Sequence, residues 1–557
     1  MPPPITQPAT GDHRLKRHIG TVGLLFTAVG SIIGSGWLFG AMNAAQMAGP
    51  ASIISWLVGA VMIALIGLTY AELGTMFPVS GGVVRFPHFA FGSFASYTSG
   101  WITWLATVAV APLEVLAVLQ YAATYIPWLQ TLKDGSPVLT APGLAVACVF
   151  LFVFCIINML GVRWFARINN ALVWWKIGII AIAIVAFLAV AFQANGFSPS
   201  RLGNFMPMGW HGVFAAVATA GVVFSYLGFR QGVELAGETD NPQRNVPIAI
   251  FGSLGLCTVL YVGLQVAFIG ALPDSALANG WAHIGTTFSL GMDDHALAFG
   301  PLAALATALG FTWLAILLYS DAFVSPADTG LIYTALTARL SYAMSRNGNA
   351  PKALSHVNDK GVPWFSVVLA FVVGLLFFLP FPGWQKLVGF HTSAMVMSFG
   401  SGPLTLMALR RELPGQERPF RLRGGWVVPY LAFLSSNLIV FWSGWDVMWK
   451  LMVAVLLGFV LLTIYQSGWG KHLPKLEMRA GFWMLPWLGG VTLISWLGKY
   501  PELDKQAGNI GLLGPISGFV VIVVFSALIM WLAHASRLRG QRVIEHLGEQ
   551  ASESRNP

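Results

Sequence analysis

Apolar residues in this chain do not alternate with polar ones at a strand or surface-helix period. They come in long runs separated by short polar loops. A helix that crosses a bilayer needs about 20 mostly apolar residues. Runs of that kind lie near 20–46, 51–76, 91–127, 139–160, 168–193, 212–236, 247–272, 300–340, 364–381, 386–409, 427–445, 449–467, 481–497 and 512–534. The pattern predicts fourteen spanning helices in an all-α polytopic membrane protein. The runs at 91–127 and 300–340 are long enough to tilt or to project beyond the membrane, and 481–497 is the shortest. Composition agrees, with 56% hydrophobic and 10% charged residues among 557, against about 25% charged in a soluble domain.

The first run contains an anomaly. The stretch GSIIGSG, Gly30 to Gly36, places three glycines and two serines between flanks that read as membrane helix. Glycine in a helix interior costs roughly 0.5–1 kcal/mol relative to alanine, and non-helical backbone at membrane depth is tolerated only inside protein or beside a water-filled cavity. The sixth run repeats the feature: FSYLGFRQG, from Phe224, has two glycines, a serine and an arginine in nine residues. Breaks five helices apart fit two inverted five-helix repeats around one central cavity. A helix restarting at Gly34 to Gly36 points free N–H groups and a positive dipole end into that cavity, which suits a carboxylate. The preceding half-helix ends in free carbonyls, which suit an ammonium or a cation. For a single break, close helix packing of the small-residue type is an equal reading; the paired break favours the cavity.

Charge sets the sidedness. With the N-terminal tail and every second loop on one side, that side carries 23 of the 31 lysines and arginines and the other carries six, Lys133, Arg201, Lys386, Lys450, Lys499 and Lys505. Positive loops face the cytoplasm, so both termini are expected there, and the basic balance needs no nucleic acid. The basic side includes Arg14, Lys16, Arg17, Arg85, Arg163, Lys360, Lys471, Lys475 and Arg555. Cys148, Cys155 and Cys257 all lie in apolar runs without a CxxC, so neither disulfides nor a metal site is expected. The first apolar run is too long for a signal peptide and is read as an uncleaved span. The expected organisation is a cytoplasmic tail (1–18), a first repeat (19–193), a second inverted repeat (212–409), two to four additional C-terminal helices (427–534) and a cytoplasmic tail (535–557).

Four stretches carry a family resemblance: GSIIGSG; AELGTMFPVSGG (Ala71 to Gly82); FSYLGFRQGVELAGETDNPQRNVPIAI; and SPADTGLIYTALTARLSYAMSRNGNAPK (Ser325 to Lys352). Together they resemble the amino acid–polyamine–organocation (APC) transporter superfamily with its LeuT-like 5+5 inverted repeat, over roughly residues 15–410. The resemblance implies a bacterial inner-membrane location and a small amino acid as the guest. It implies carboxylate contacts from Ile32, Gly34, Ser35 and Gly36, and amino-group contacts with carbonyls near Ile32 and around Phe224, Ser225, Leu227 and Gly228. Phe224 matches an aromatic that closes over substrate in relatives; the alternative is an ordinary packed ring.

Ionisable groups inside the membrane are costly and usually functional. Lys176, in the fifth span, is either a lysine snorkelling to the interface or a buried amine whose charge replaces a sodium ion, the role that the resemblance associates with proton coupling. Arg230 stays charged and needs an anion: Glu234 one turn on, Glu114, or the substrate's own side-chain carboxylate, which a guanidinium grips with two parallel hydrogen bonds. Glu114, near Pro112 in the third span, faces the cavity by the resemblance, as proton acceptor or as the partner of Arg230. Asp321 and Asp328 share one face of the eighth span, with Ser325 and Thr329 beside them. The resemblance places this region against the fifth span near a cation site, which makes Asp328 a candidate partner of Lys176, while Asp321 has water at a helix end as its plain alternative. His391 is read as a hydrogen-bonded packing residue, and Glu72 and Glu238 as gate or interface residues.

No P-loop, HExxH or clustered catalytic set appears, so the chain is expected to be a secondary transporter rather than an enzyme or pump, with no cofactor. The leading expectation is an amino acid:H⁺ symporter, with Arg230 and a resemblance to aspartate:proton symporters tilting it toward aspartate or glutamate. A permease or exchanger for neutral or cationic amino acids or polyamines is the alternative, favoured if Glu114 faces the cavity while Glu234 neutralises Arg230. A channel would not need paired broken helices.

Overall fold

The computed structural model describes residues 19–79, 81–133, 136–160, 165–193, 197, 204–284, 296–346, 350–358, 361–468, 476–500 and 508–553. The N-terminal tail and the basic residues Arg163, Arg201, Lys360, Lys471, Lys475, Lys505 and Arg555 lie outside them. All fourteen apolar runs have helical counterparts, and the strands in the described residues form one hairpin, Gln130–Lys133 paired antiparallel with Ser136–Leu139. Among the described residues eight helices are long and apolar enough to cross a membrane, and a ninth span is a bent pair, Gly209–Thr219 with Phe224–Glu234, folded by 46°. The shorter apolar helices Thr21–Ile32, Trp364–Phe377 and Val427–Trp442 and the long helices Thr312–Arg346 and Trp384–Glu412 belong to the same bundle.

The first span is two helices, Thr21–Ile32 and Gly36–Ala48, separated by Ile33, Gly34 and Ser35. The sixth also breaks, but earlier than its glycine pattern suggests. The interruption lies at Ala220–Val223, where Gly221 takes φ 92°, and Phe224–Arg230 continues as a 3₁₀ helix. Glycine adopts that φ without strain, so Gly221 permits the turn there.

Two expected boundaries move. The 300–340 run is not one long helix: Pro301–Ala308 and Thr312–Arg346 are separated at Gly310, with φ 79°. The third span begins at Gly82 rather than near 91, so Arg85 is a helical residue and not a loop residue. Arg85, Pro87 and His88 in its first turns masked the start. That span bends at Gly92 (φ 76°) and is interrupted at Ala109. Pro112 accounts for the second irregularity, because its ring nitrogen cannot donate to the carbonyl four residues back.

The packing sorts helix ends into two groups. At one end, buried Glu72 receives Arg410 Nε at 2.8 Å and the Leu422 amide at 2.8 Å, with Arg418 Nε 3.6 Å away. This carboxylate organises the loop after the tenth span (Trp384–Glu412). At the same end the C-terminal segment forms an amphipathic helix, Gly540–Glu553, where only a tail was expected. Glu477 holds it through Arg542 (3.1 Å) and His546 (3.0 Å), and Glu412 receives Arg537 at 2.7 Å.

Candidate functional site

The two interruptions meet. A Cβ on Gly228 would collide with the backbone of Ser31 and Ile32, and one on Gly36 would strike the Ser225 hydroxyl. Glycine at 228 and 36 is what lets the two broken helices touch backbone to backbone. Beside this contact lies a cavity lined by Ser31, Ile32, Gly34, Val110, Glu114, Phe224, Leu227, Gly228, Thr329, Tyr333 and His391. Its volume is about 10 Å³, about the room one water needs. The structure is therefore a closed form, with the cavity drawn in around its own side chains.

Of the residues expected at the guest, Ile32, Gly34, Glu114, Phe224, Leu227 and Gly228 line the cavity, whereas Ser35, Gly36, Ser225 and Arg230 stand behind it. Glu114 fills the place expected for a carboxylate. Its Oε2 accepts the Ser35 N–H at 3.0 Å, and Oε1 lies so near Gly34 that a Cβ there would be 2.7 Å from it. The amides at Gly36 and Trp37 open the second half-helix and have no intrahelical acceptor. A carboxylate thus already sits at a helix N-terminus, where the dipole favours negative charge.

Lys176 does not snorkel. Its side chain is fully buried, with Nζ 2.6 Å from Asp328 Oδ2, 3.2 Å from the Gly30 carbonyl and 3.4 Å from Thr329 Oγ1. The ammonium therefore bridges the first, fifth and eighth spans at the carbonyl end of the first half-helix. Thr329 also lines the cavity, so the Lys176 ammonium and the cavity share a residue. Asp321 is buried, not at a wet helix end, and accepts from Ser325 Oγ and Trp175 Nε1, each at 2.8 Å.

Arg230 is 3% exposed. Its Nη2 donates to Thr107 Oγ1 at 2.9 Å, Nη1 meets Met395 Sδ at 3.1 Å, and Nε has no hydrogen-bond partner. The guanidinium carbon lies 5.9 Å from the centre of the Tyr333 ring, whose residue lines the cavity. Neither Glu234 nor Glu114 is within ion-pair distance, and among the described residues no carboxylate is. Among the described residues the buried guanidinium makes its hydrogen bonds only to neutral groups, one ring away from the cavity.

Sequence reasoning missed Trp384. Its indole N–H donates to Ser35 Oγ at 2.9 Å, and its ring packs on Phe39 (4.7 Å) and Phe224 (6.0 Å). This seals the cavity from a polar vestibule lined by Asn43, Gln46, Gln120 and Lys386. The only local signal was a tryptophan following Pro-Gly at the start of a span, among 22 tryptophans. His391 closes the far side of Phe224 at 5.3 Å and bonds the Ala106 carbonyl at 2.8 Å.

The amino acid permease family profile matches residues 19–472. The chain belongs to the amino acid permease family. Its broken helices, buried lysine and small central cavity are thus parts of a transporter, not of an enzyme. The permease is 39% identical over 508 residues to the glutamate/serine transporter AimA of Bacillus subtilis, covering 89% of each chain. It is 35% identical to the aspartate-proton symporter of the same organism, over 86% of this chain and 89% of that one. A branched-chain amino acid permease, BcaP, is 29% identical over 83% of this chain and 95% of its own.

Proposed function

We propose that the permease is an amino acid:H⁺ symporter that prefers acidic amino acids, aspartate or glutamate, and works by alternating access. The observation that carries the substrate class is Arg230: a buried guanidinium behind the cavity with no carboxylate within ion-pair distance among the described residues, its Nε without a hydrogen-bond partner. Burial of an unpaired charge costs several kcal/mol, and a side-chain carboxylate on the guest would offset that cost. The names of two relatives, a glutamate/serine transporter and an aspartate-proton symporter, point the same way.

Proton coupling follows from Glu114. In the closed form it holds the Ser35 amide that the guest's α-carboxylate would use. Two carboxylates at one buried N-terminus cannot both stay ionised. An arriving guest therefore displaces Glu114 and favours its protonation, so that cargo and proton enter together. Lys176 and Asp328 tie the first half-helix to the fifth and eighth spans as the cavity opens and closes, in place of a metal cation. The carboxylate contacts come from Ile32, Gly34, Ser35 and Gly36, and the amino group meets the carbonyls around Ile32 and the Phe224–Gly228 segment. Residues 19–193 and 212–409 act as the two repeats, and both termini face the cytoplasm of a bacterial cell.

The second reading, a neutral or cationic guest, draws on Glu114 at the cavity. It also needs Glu234 to neutralise Arg230; the two make no direct ion pair, though the guanidinium's charge reaches the buried Glu234 carboxyl. Uptake of labelled aspartate, glutamate, serine and leucine into proteoliposomes, with and without an imposed inward proton gradient, tests both parts. The expected result is gradient-driven uptake of the acidic pair, with the gradient response lost in Glu114→Gln. Equal stimulation of Glu114→Gln and the native chain by the gradient would remove Glu114 from coupling. Preference for leucine would remove the acidic guest.

A further inference from the structure

A second cavity lies away from the substrate path. It measures about 330 Å³ and is lined by Trp210, His211, Phe214, Ala215, Phe441, Trp442, Lys499, Tyr500, Pro515, Ile516 and Phe519. That volume is at the lower end of small-molecule sites, roughly 300–1,000 Å³. The floor is aromatic and ordered: Phe214 stacks on Trp442 at 4.4 Å and 7°, Trp210 stacks on Phe214 at 5.8 Å, and Phe441 meets Tyr500 at 5.5 Å.

Its position says what fills it. The pocket is bounded by the start of Gly209–Thr219, the end of Val427–Trp442, the end of Met484–Leu497 and the start of Pro515–Ser536. These four ends fall on the side assigned as non-cytoplasmic. At the mouth, Trp210, Ile516 and Phe519 are exposed. From Ile516 a stripe of exposed apolar residues runs down the last span through Val520, Val524, Leu528 and Trp531. At about four-residue spacing this is one helix face, and it faces hydrocarbon. The mouth therefore opens onto lipid at the level of the outer interface, where tryptophan and tyrosine collect.

Among the described residues the polar lining of the same pocket is His211, Tyr500 and the cation Lys499. Lys499 is exposed, and among the described residues no carboxylate lies within ion-pair distance of it. Its backbone is fixed, since its N–H donates to the Leu513 carbonyl at 2.9 Å. Lipid tails are as apolar as the pocket wall, so burial alone gives an acyl chain little reason to stay. Retention has to come from close packing and from charge.

We propose that this pocket is a phospholipid site of the outer leaflet, with part of one acyl chain on the Phe214–Trp442 stack and the lipid phosphate at Lys499. The occupant would press on Gly209–Thr219, the half-helix that leads into the break at Gly221. Membrane composition would thereby reach the sixth span without touching the guest cavity, and this holds whatever the guest is.

Native mass spectrometry of the full-length protein, purified from nanodiscs of equal phosphatidylglycerol and phosphatidylethanolamine, tests the site. One retained lipid per chain is expected, enriched about fivefold in phosphatidylglycerol, as one lysine near anionic lipid implies. Lys499→Gln, an exposed change that leaves the core alone, should bring the ratio to about one. Ala215→Phe, which fills the floor, should remove the retained lipid; its folding is checked by gel filtration. Retention of the same lipid at the same ratio by the native chain and Lys499→Gln would overturn the proposal. So would a lipid-free dimer closing over Ile516 and Phe519.

Discussion

Replacing Arg230 by methionine separates a guest-binding arginine from a structural one, because the two roles predict opposite changes. The side chain is 3% exposed and makes one good neutral hydrogen bond, to Thr107 at 2.9 Å. Methionine keeps the packing against Met395 and Tyr333 and removes the charge. If the guanidinium serves only the fold, its loss leaves substrate preference alone. If it binds the guest's side-chain carboxylate, a charge-assisted hydrogen bond worth about 1.5–3 kcal/mol is lost, or roughly 10- to 150-fold in affinity at 1.36 kcal/mol per decade. Uptake of aspartate and glutamate should then fall by that factor in kcat/KM, with serine uptake changing much less. The ligand-free protein should meanwhile melt no lower than the native one, and could melt higher, since replacing a buried charge by a hydrophobe of similar volume is often stabilising. The assay is competitive uptake in proteoliposomes, paired with thermal unfolding in detergent. An unchanged aspartate-to-serine ratio in a well-folded variant would refute the reasoning.

Three further outcomes are expected. Lys176→Met leaves Asp328 buried without its partner at 2.6 Å, costing about 3–5 kcal/mol; adding Asp328→Asn should restore most of the melting temperature but not proton-driven uptake. Trp384→Phe keeps one aromatic ring but loses the pyrrole half of the indole, with its N–H bond to Ser35, the bond alone being worth about 1 kcal/mol. It should speed labelling of Asn43→Cys by a membrane-impermeant maleimide about fivefold, and an unchanged rate would count against Trp384 as the outer seal. Gly228→Ala drives a Cβ into the Ser31–Ile32 backbone, so uptake should vanish or the protein should fail to fold, whereas Gly255→Ala, with open space around it, should behave as native.

The bundle was legible because bilayer spans are written in long apolar runs, and every such run has a helix. What was not legible depends on backbone detail or on distant partners. The break of the sixth span was placed at Phe224–Gly232 by its glycine content, but Gly221 alone takes the required φ. The split at Gly310 was hidden inside one continuous apolar run. The start of the third span was hidden by polar residues that face protein rather than water. Lys176, Arg230 and Glu114 stood out because charge at membrane depth is rare, yet nothing local says that Lys176 reaches Asp328 while Arg230 makes no ion pair among the described residues. Trp384 could not be singled out, since its role comes from Ser35, 349 residues away. The C-terminal helix was overlooked because its few apolar residues do not form a spanning run.

Ser35 has two attachments on one residue: its amide is held by Glu114 and its hydroxyl by Trp384. Freeing the indole loosens the peptide unit that the carboxylate grips, and pulling the carboxylate away slackens the hydroxyl that the indole needs. An empty transporter that swung outward would thus give up both attachments with nothing gained in return. Under the proposed mechanism, idle cycling without cargo is disfavoured by a single serine, and Ser35→Ala should show it as futile proton leakage.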